Sequence, residues 1–288
     1  METRLKYAGK VVLITGVSVT DTTSIGAKTA IEFAKAGALL AIACDQLLTT
    51  TGQSLAPLAA KCLAVSGPQR LTPLLIGADI RSEVDCFRTV ESTVRELGRL
   101  DVLVNNTDTY WGSTPTGAAP PVINHPDFVQ NYHNVMQANL NSFVYLTHYA
   151  LKYLMITNGC VVNNASITSI VSSTVNPPDC MAKSALNVFT RYMAGQLRAL
   201  GVRINSINPG GSQTNVHLYT SPDALANTYT HWRNVINTSD QCQDIARAVL
   251  YLASGEACQV TGLNFVANCL CSKCFSDELR AFYHLHRK

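Results

Sequence analysis

The chain has little charge. Asp, Glu, Lys and Arg make up 14% of its 288 residues against 47% apolar residues, a balance that excludes a disordered chain and supports a large buried core. It has no long basic block either. The formal charge of +3 is spread out, and the one local run, His286-Arg287-Lys288, is too short for a nucleic-acid footprint. Nowhere does it offer the roughly 18 consecutive apolar residues of a membrane span, and residues 1–10 lack the apolar centre of a secretory signal. The expectation is a cytoplasmic protein with no membrane span and no nucleic-acid partner. Its ten cysteines show no paired spacing before Cys269, Cys271 and Cys274, so reduced, mostly buried thiols are expected and no disulfide framework. That last cluster lacks the paired Cys-x-x-Cys of zinc sites even with His284 and His286 downstream, and no metal is expected. Internal repeats and interdomain linkers are also absent.

What the chain does have is alternation. Short apolar, β-branched runs at 11–15, 39–44, 74–78, 102–105, 161–164, 203–207 and 263–267 are separated by periodic amphipathic stretches, among them 25–36, 83–97, 128–154, 181–200 and 240–254. This pattern predicts one α/β domain over 1–288, with its core at about 9–267 and a tail at 268–288. The fold is a Rossmann-like, doubly wound parallel sheet of seven strands with helices on both faces. Right-handed crossovers bring the C-terminal ends of the strands to one edge, so the loops there form a single cleft. Two of those loops, 107–126 and 209–238, are long and rich in Pro, Gly, Ser, Thr and Asn, as lids and binding loops are.

At the first strand's end Thr15-Gly16 leads to a helix opening at Ser24-Ile25-Gly26, which sets free N–H groups and a positive dipole end where a pyrophosphate would sit. Ser24 stands at the place of a middle glycine, and Thr20, Thr22 and Thr23 offer hydroxyls, whereas Asp21 opposes an anion. The same residues also read as a plain strand-to-helix turn with Ser24 as N-cap. After the second strand Asp45 can bind ribose hydroxyls and repel a 2′-phosphate, which leans toward NAD over NADP; an ordinary solvated acid is the alternative.

Across about 9–267 these features and those that follow resemble the short-chain dehydrogenase/reductase family. Asp79-Ile80 resembles the family's Asp-Val pair beside adenine, and Asn105-Asn106 the start of its Asn-Asn-Ala-Gly turn. Asn139 and Ser166 stand at the places of its catalytic asparagine and serine, and Lys183 at that of its lysine. Pro209-Gly210 with Thr214 resembles the segment that contacts the nicotinamide amide, and Thr261-Gly262 precedes the last strand. The resemblance implies an oxidoreductase that moves a hydride between NAD or NADP and a small-molecule carbonyl or alcohol. It implies a homodimer or homotetramer built through the long helices at 128–154 and 181–200. The implied cofactor contacts are Thr15, Gly16, Ser24, Ile25, Gly26, Asp45, Asp79, Ile80, Asn105, Asn106, Lys183, Pro209, Gly210 and Thr214.

One residue breaks the pattern. The family carries Tyr-x-x-x-Lys, with the tyrosine phenol as proton donor, yet the residue four before Lys183 is Asp179, and no tyrosine lies between Tyr153 and Tyr192. The wider Tyr-x6-Lys spacing of the family's enoyl reductase branch lands on Asn176. An ordinary aspartate is ionised at neutral pH, so Asp179 can accept a proton but hardly donate one, and it joins Ser166, Lys183 and Asn139 as the fourth candidate catalytic residue. It also reads as the helix N-cap, paired with Lys183. Thr107-Asp108 and Asn268-Cys269-Leu270 replace small residues of the family pattern near the cofactor. Two functions stay open: an oxidoreductase with an impaired or relocated proton donor, drawn from Tyr110, His217, Tyr219 or Tyr229, and a non-catalytic relative that binds a nucleotide or small apolar ligand and acts through partners.

Overall fold

A computed structural model describes residues 5–18, 21–45, 54–67, 71–107, 123–170, 177–210 and 241–267. The strands are β1 (Val11–Ile14), β2 (Leu39–Cys44), β3 (Leu74–Gly77), β4 (Val102–Asn105), β5 (Cys160–Asn164), β6 (Arg203–Pro209) and β7 (Asn264–Ala267). They form one parallel seven-stranded sheet in the order β3-β2-β1-β4-β5-β6-β7. The order reverses between β1 and β4, the place where an open α/β sheet splits its loops into a ligand crevice.

Around the sheet lie α1 (Ile25–Lys35), α2 (Ala56–Val65), α3 (Glu83–Leu97), α4 (Phe128–Met136), α5 (Ser142–Thr157), α6 (Pro177–Ala199) and α7 (Gln241–Ala253). Alternate strand residues feed two cores, because side chains of a strand point to opposite faces. Val12, Ile14, Leu40, Ile42, Val104 and Val162 pack with Ala27, Phe33, Leu58, Ile245 and Val249 of α1, α2 and α7. Val11, Leu13, Ala41, Leu103, Val161 and Ile204 pack with Val90, Leu146, Leu154 and Leu197 of α3, α5 and α6. Burial on both faces explains why these strands read as unbroken apolar runs.

The expected elements appear with small shifts, and two differ in kind. The predicted single helix over 128–154 is broken by a π turn at Gln137–Asn141 between α4 and α5, where the extra residue per turn re-aims Asn139. The helix expected from residue 181 begins earlier, at Pro177-Pro178, whose missing N–H groups cost nothing in a first turn. Asp179 is therefore the third residue of α6 and not its N-cap. No helix among the described residues is long and apolar enough to cross a membrane, and no group of metal-ligating side chains gathers among them. Cys269, Cys271, Cys274, His284 and His286 lie outside the described residues.

At the edge opposite the cleft, Asp101 ties β4 to β1. Its buried carboxylate accepts from Val11 N at 2.9 Å, Lys10 Nζ at 2.9 Å, and Arg99 Nε and Nη2 at 2.7 Å each. Burial alone would raise this acid, but Arg99, the Val11 N–H and Lys10 outweigh it and hold the carboxyl below its usual range. A depressed folded-state value means that the contribution is complete above the unfolded value of about 4 and is lost as pH falls through the lower folded value. Asp101→Ala is expected to cost about 2–4 kcal/mol of stability at neutral pH, measured by urea denaturation, and the gap between variant and parent should narrow below about pH 4.

Candidate functional site

The cleft begins where β1 ends. Thr15 N donates to Val104 O at 3.1 Å and Val17 N to Ala43 O at 3.2 Å, which carries the turn out between β4 and β2. Gly16 sits at φ +64, and a Cβ there would overlap the backbone and hydroxyl of Thr107; Gly26 likewise faces Asn106, whose Nδ2 would lie 2.6 Å from an added Cβ. These glycines admit the neighbouring β4 loop. Ser24 caps α1: its hydroxyl accepts from Ala27 N at 3.4 Å and donates to Asp21 O at 2.9 Å, and the first-turn N–H groups of Ile25 and Gly26 follow it. Asp21, read as an obstacle to anions, accepts from Thr23 N and Oγ1 at 2.7 and 2.6 Å and so closes its own turn. The buried hydroxyls of Thr15 and Thr107 flank Gly16 and have no hydrogen-bond partner among the described residues. A buried unpaired hydroxyl costs about 1–3 kcal/mol, and two of the buried side-chain atoms without a partner among the described residues lie at this turn.

At the neighbouring strand ends three charges meet. Asp79 is clasped by Arg81, with Nε to Oδ1 and Nη2 to Oδ2 at 2.8 Å each and Arg81 N to Oδ1 at 3.0 Å, and this grip holds the Asp79 carboxyl below its usual range. Asp45 shifts upward, first by desolvation at the cleft mouth and then by Asp79, with Arg81 opposing. The Arg81 carbonyl accepts from Gln137 Nε2 at 2.7 Å, which joins this end to the π turn. Ile80 is buried beneath.

The other end holds the predicted reactive residues, and the structure brings them together. Asp179 and Lys183, one helical turn apart on α6, are 1% and 0% exposed. Asn139, aimed by the π turn, donates from Nδ2 to Asp179 Oδ1 at 2.8 Å. On the far side the Thr168 hydroxyl lies 3.5 Å from Asp179 Oδ2 and 2.9 Å from Ser166 Oγ, which also accepts from Thr168 N at 3.2 Å. A continuous polar line thus runs Asn139–Asp179–Thr168–Ser166. Lys183 Nζ donates to Asn164 O at 3.2 Å and Thr107 O at 3.3 Å, and it stands 5.4 Å from the centre of the Phe143 ring.

Other predicted residues serve as struts. Asn105 Nδ2 donates to Asn163 Oδ1 at 2.9 Å within the sheet, whereas Asn106 Nδ2 donates to Gly16 O at 3.3 Å and its Oδ1 accepts from Asn164 Nδ2 at 2.9 Å. Pro209 closes β6, and Gly210 N donates to Ala267 O at 3.3 Å. Three residues were missed in the sequence: Arg81, Thr168 and Asn187. Asn187 donates to Asn208 Oδ1 at 2.8 Å and Ser169 Oγ at 2.6 Å and accepts from Ser206 Oγ at 2.7 Å, tying α6 and the Ser166 turn to β6. Only Thr168 carried a signal, its place two residues after Ser166. Asp108, Tyr110, Asn176, Thr214, His217, Tyr219, Tyr229, Asn268 and Leu270 lie outside the described residues.

Known proteins share this architecture. A family described as Enoyl-(Acyl carrier protein) reductase matches residues 19–269. General stress protein 39 of Bacillus subtilis is 30% identical over 267 residues, 91% of this chain and 84% of that protein. Meso-2,3-butanediol dehydrogenase of Serratia marcescens is 25% identical over 260 residues, 90% of this chain and 93% of the enzyme. Among solved structures, a 7α-hydroxysteroid dehydrogenase complexed with NADH and 7-oxo glycochenodeoxycholic acid matches with a TM-score of 0.74 and 24% identity, over 91% of this chain and 94% of that one. A match that spans most of the sequence, over a sheet with this strand order, places the chain in the short-chain dehydrogenase/reductase family.

Proposed function

We propose that this protein is an NAD(P)-dependent oxidoreductase acting between an alcohol and a carbonyl, with a proton step altered by Asp179 at the position of the family's tyrosine. The reading rests on one observation: Asp179, buried and bonded to Asn139, connects through Thr168 to the Ser166 hydroxyl. A bound nicotinamide dinucleotide supplies the hydride acceptor or donor. Thr15, Gly16, Ser24, Ile25 and Gly26 would hold its pyrophosphate, and the unpaired Thr15 and Thr107 hydroxyls and the α1 N-terminus fit that anion. Asp45, Asp79 and Ile80 would take the adenosine half; two carboxylates against one guanidinium leave a net negative charge there, which favours NAD over NADP. Lys183, Asn105, Asn106, Pro209, Gly210 and Thr214 would border the nicotinamide half.

Ser166 would orient the substrate oxygen and Thr168 pass its proton to Asp179, an acceptor suited to alcohol oxidation and poor at carbonyl reduction. The names of the Serratia and steroid relatives support a small-molecule alcohol or carbonyl as substrate. Exposed Met155, Ile156, Met181 and Tyr192 on α5 and α6 support a homodimer or homotetramer. A second reading, a non-catalytic protein that binds nucleotide or a small apolar ligand and acts through partners, draws on the enclosure of Lys183. That lysine is fully buried and its ammonium is engaged by two backbone carbonyls.

Titration of the pure protein with NADH and NADPH, followed by fluorescence and melting temperature, should show binding at sub-millimolar cofactor, tighter for NADH. No shift at millimolar cofactor would overturn the oxidoreductase reading. Asp179→Tyr should raise carbonyl reduction by about 10²- to 10⁴-fold, the usual worth of a positioned general acid. An unchanged rate in a folded, cofactor-binding variant would remove Asp179 from the proton step.

A further inference from the structure

The described residues contain three buried charged side chains: Asp101 at the far edge of the sheet, and Asp179 and Lys183 at the cleft. Among the described residues the buried formal charge at the cleft is that of the last two, and it sums to zero. A neutral phenol in place of Asp179 would leave the lysine's full positive charge there. Oxidised nicotinamide carries a positive ring charge and the reduced ring carries none, so a dinucleotide whose ring bordered this pair would present it with one unit charge more in the oxidised form. Asp179 is not free to turn away from that charge, because Asn139 fixes Oδ1 at 2.8 Å and Thr168 borders Oδ2. Exclusion from water keeps the interaction from being screened.

We infer that the protein discriminates the redox state of its dinucleotide, binding NAD⁺ more tightly than NADH through Asp179, and so acts as a receptor for oxidised nicotinamide dinucleotide. The inference rests on the dinucleotide reading above and adds to it a ligand preference independent of turnover. The attraction of a carboxylate for a positive ring is worth on the order of ten- to a hundredfold in Kd, and the Lys183 ammonium one turn away offsets most of it, which leaves a preference of several-fold to about tenfold.

Calorimetric titration of the full chain with NAD⁺, NADH and ADP-ribose, which lacks the ring, tests this without any measurement of activity. The expected result is NAD⁺ several-fold to about tenfold tighter than NADH and also tighter than ADP-ribose, with the preference lost in Asp179→Asn. Should that variant not fold, the order of the three ligands on the unmodified protein still decides. If all three bind and NADH equals or exceeds NAD⁺, the inference is overturned while the dinucleotide reading stands. If ADP-ribose and both dinucleotides fail to bind, both fall together. A preference that survives unchanged in a folded Asp179→Asn assigns it to other residues and overturns the role given to Asp179.

Discussion

Two opposite charges buried on one turn of a helix set the terms for the cleft. Removing an aspartate and a lysine from water costs several kcal/mol each unless polar groups compensate. Here the compensation comes from elements far apart in sequence: the π turn delivers Asn139, the 3-10 turn after β5 delivers Thr168, and the ends of β4 and β5 deliver the carbonyls of Thr107 and Asn164. The same loop that receives Lys183 packs on Gly16, so the glycine turn and the Asp179–Lys183 end of the cleft share a wall.

Beneath that wall the sheet changes character. β1 is apolar throughout, whereas β4 and β5 end toward the cleft in buried Asn105, Asn163 and Asn164, and β6 buries Asn205, Ser206 and Asn208 along its length. These amides bond across the sheet and into α5 and α6: Asn105 to Asn163 and Thr147, Asn163 to Thr190, and Asn187 to Asn208. Asn105 Oδ1 and Asn164 Oδ1 have no partner among the described residues, but the bonds that are made hold α6, which carries Asp179 and Lys183, against β5 and β6. The Ser166 turn is anchored the same way, since Ser169 donates to Asn208 at 2.9 Å.

The sheet was legible because period and burial agree in it: Val11, Ile14, Val104 and Val161 announce strands, and each lies in a core. Ser24 was legible as a cap because local bonding alone decides it. The π turn was not, because Gln137–Asn141 continues the apolar spacing of the helices on either side, and only the bond from Asn139 to Asp179 shows what the extra residue does. Helix α2 escaped notice because Leu58 and Cys62 alone of its residues are buried, too few to make a stripe. Thr107 read as one of the residues that replace a small one of the family pattern, and only the fold shows that the glycine turn closes against it. Nothing in the sequence singles out Arg81; the fold sets it beside Asp79 and within the field of Asp45. Local rules found the elements, and contacts between distant residues made the site.

The account depends above all on Asp179 being present as a carboxylate within that satisfied network, since both the proton step and the redox preference follow from its charge. Infrared difference spectroscopy between the protein and Asp179→Asn at neutral pH reads this directly. The account predicts the loss of one ionised carboxylate stretch in the variant. Loss of a protonated carboxyl carbonyl stretch instead would contradict it.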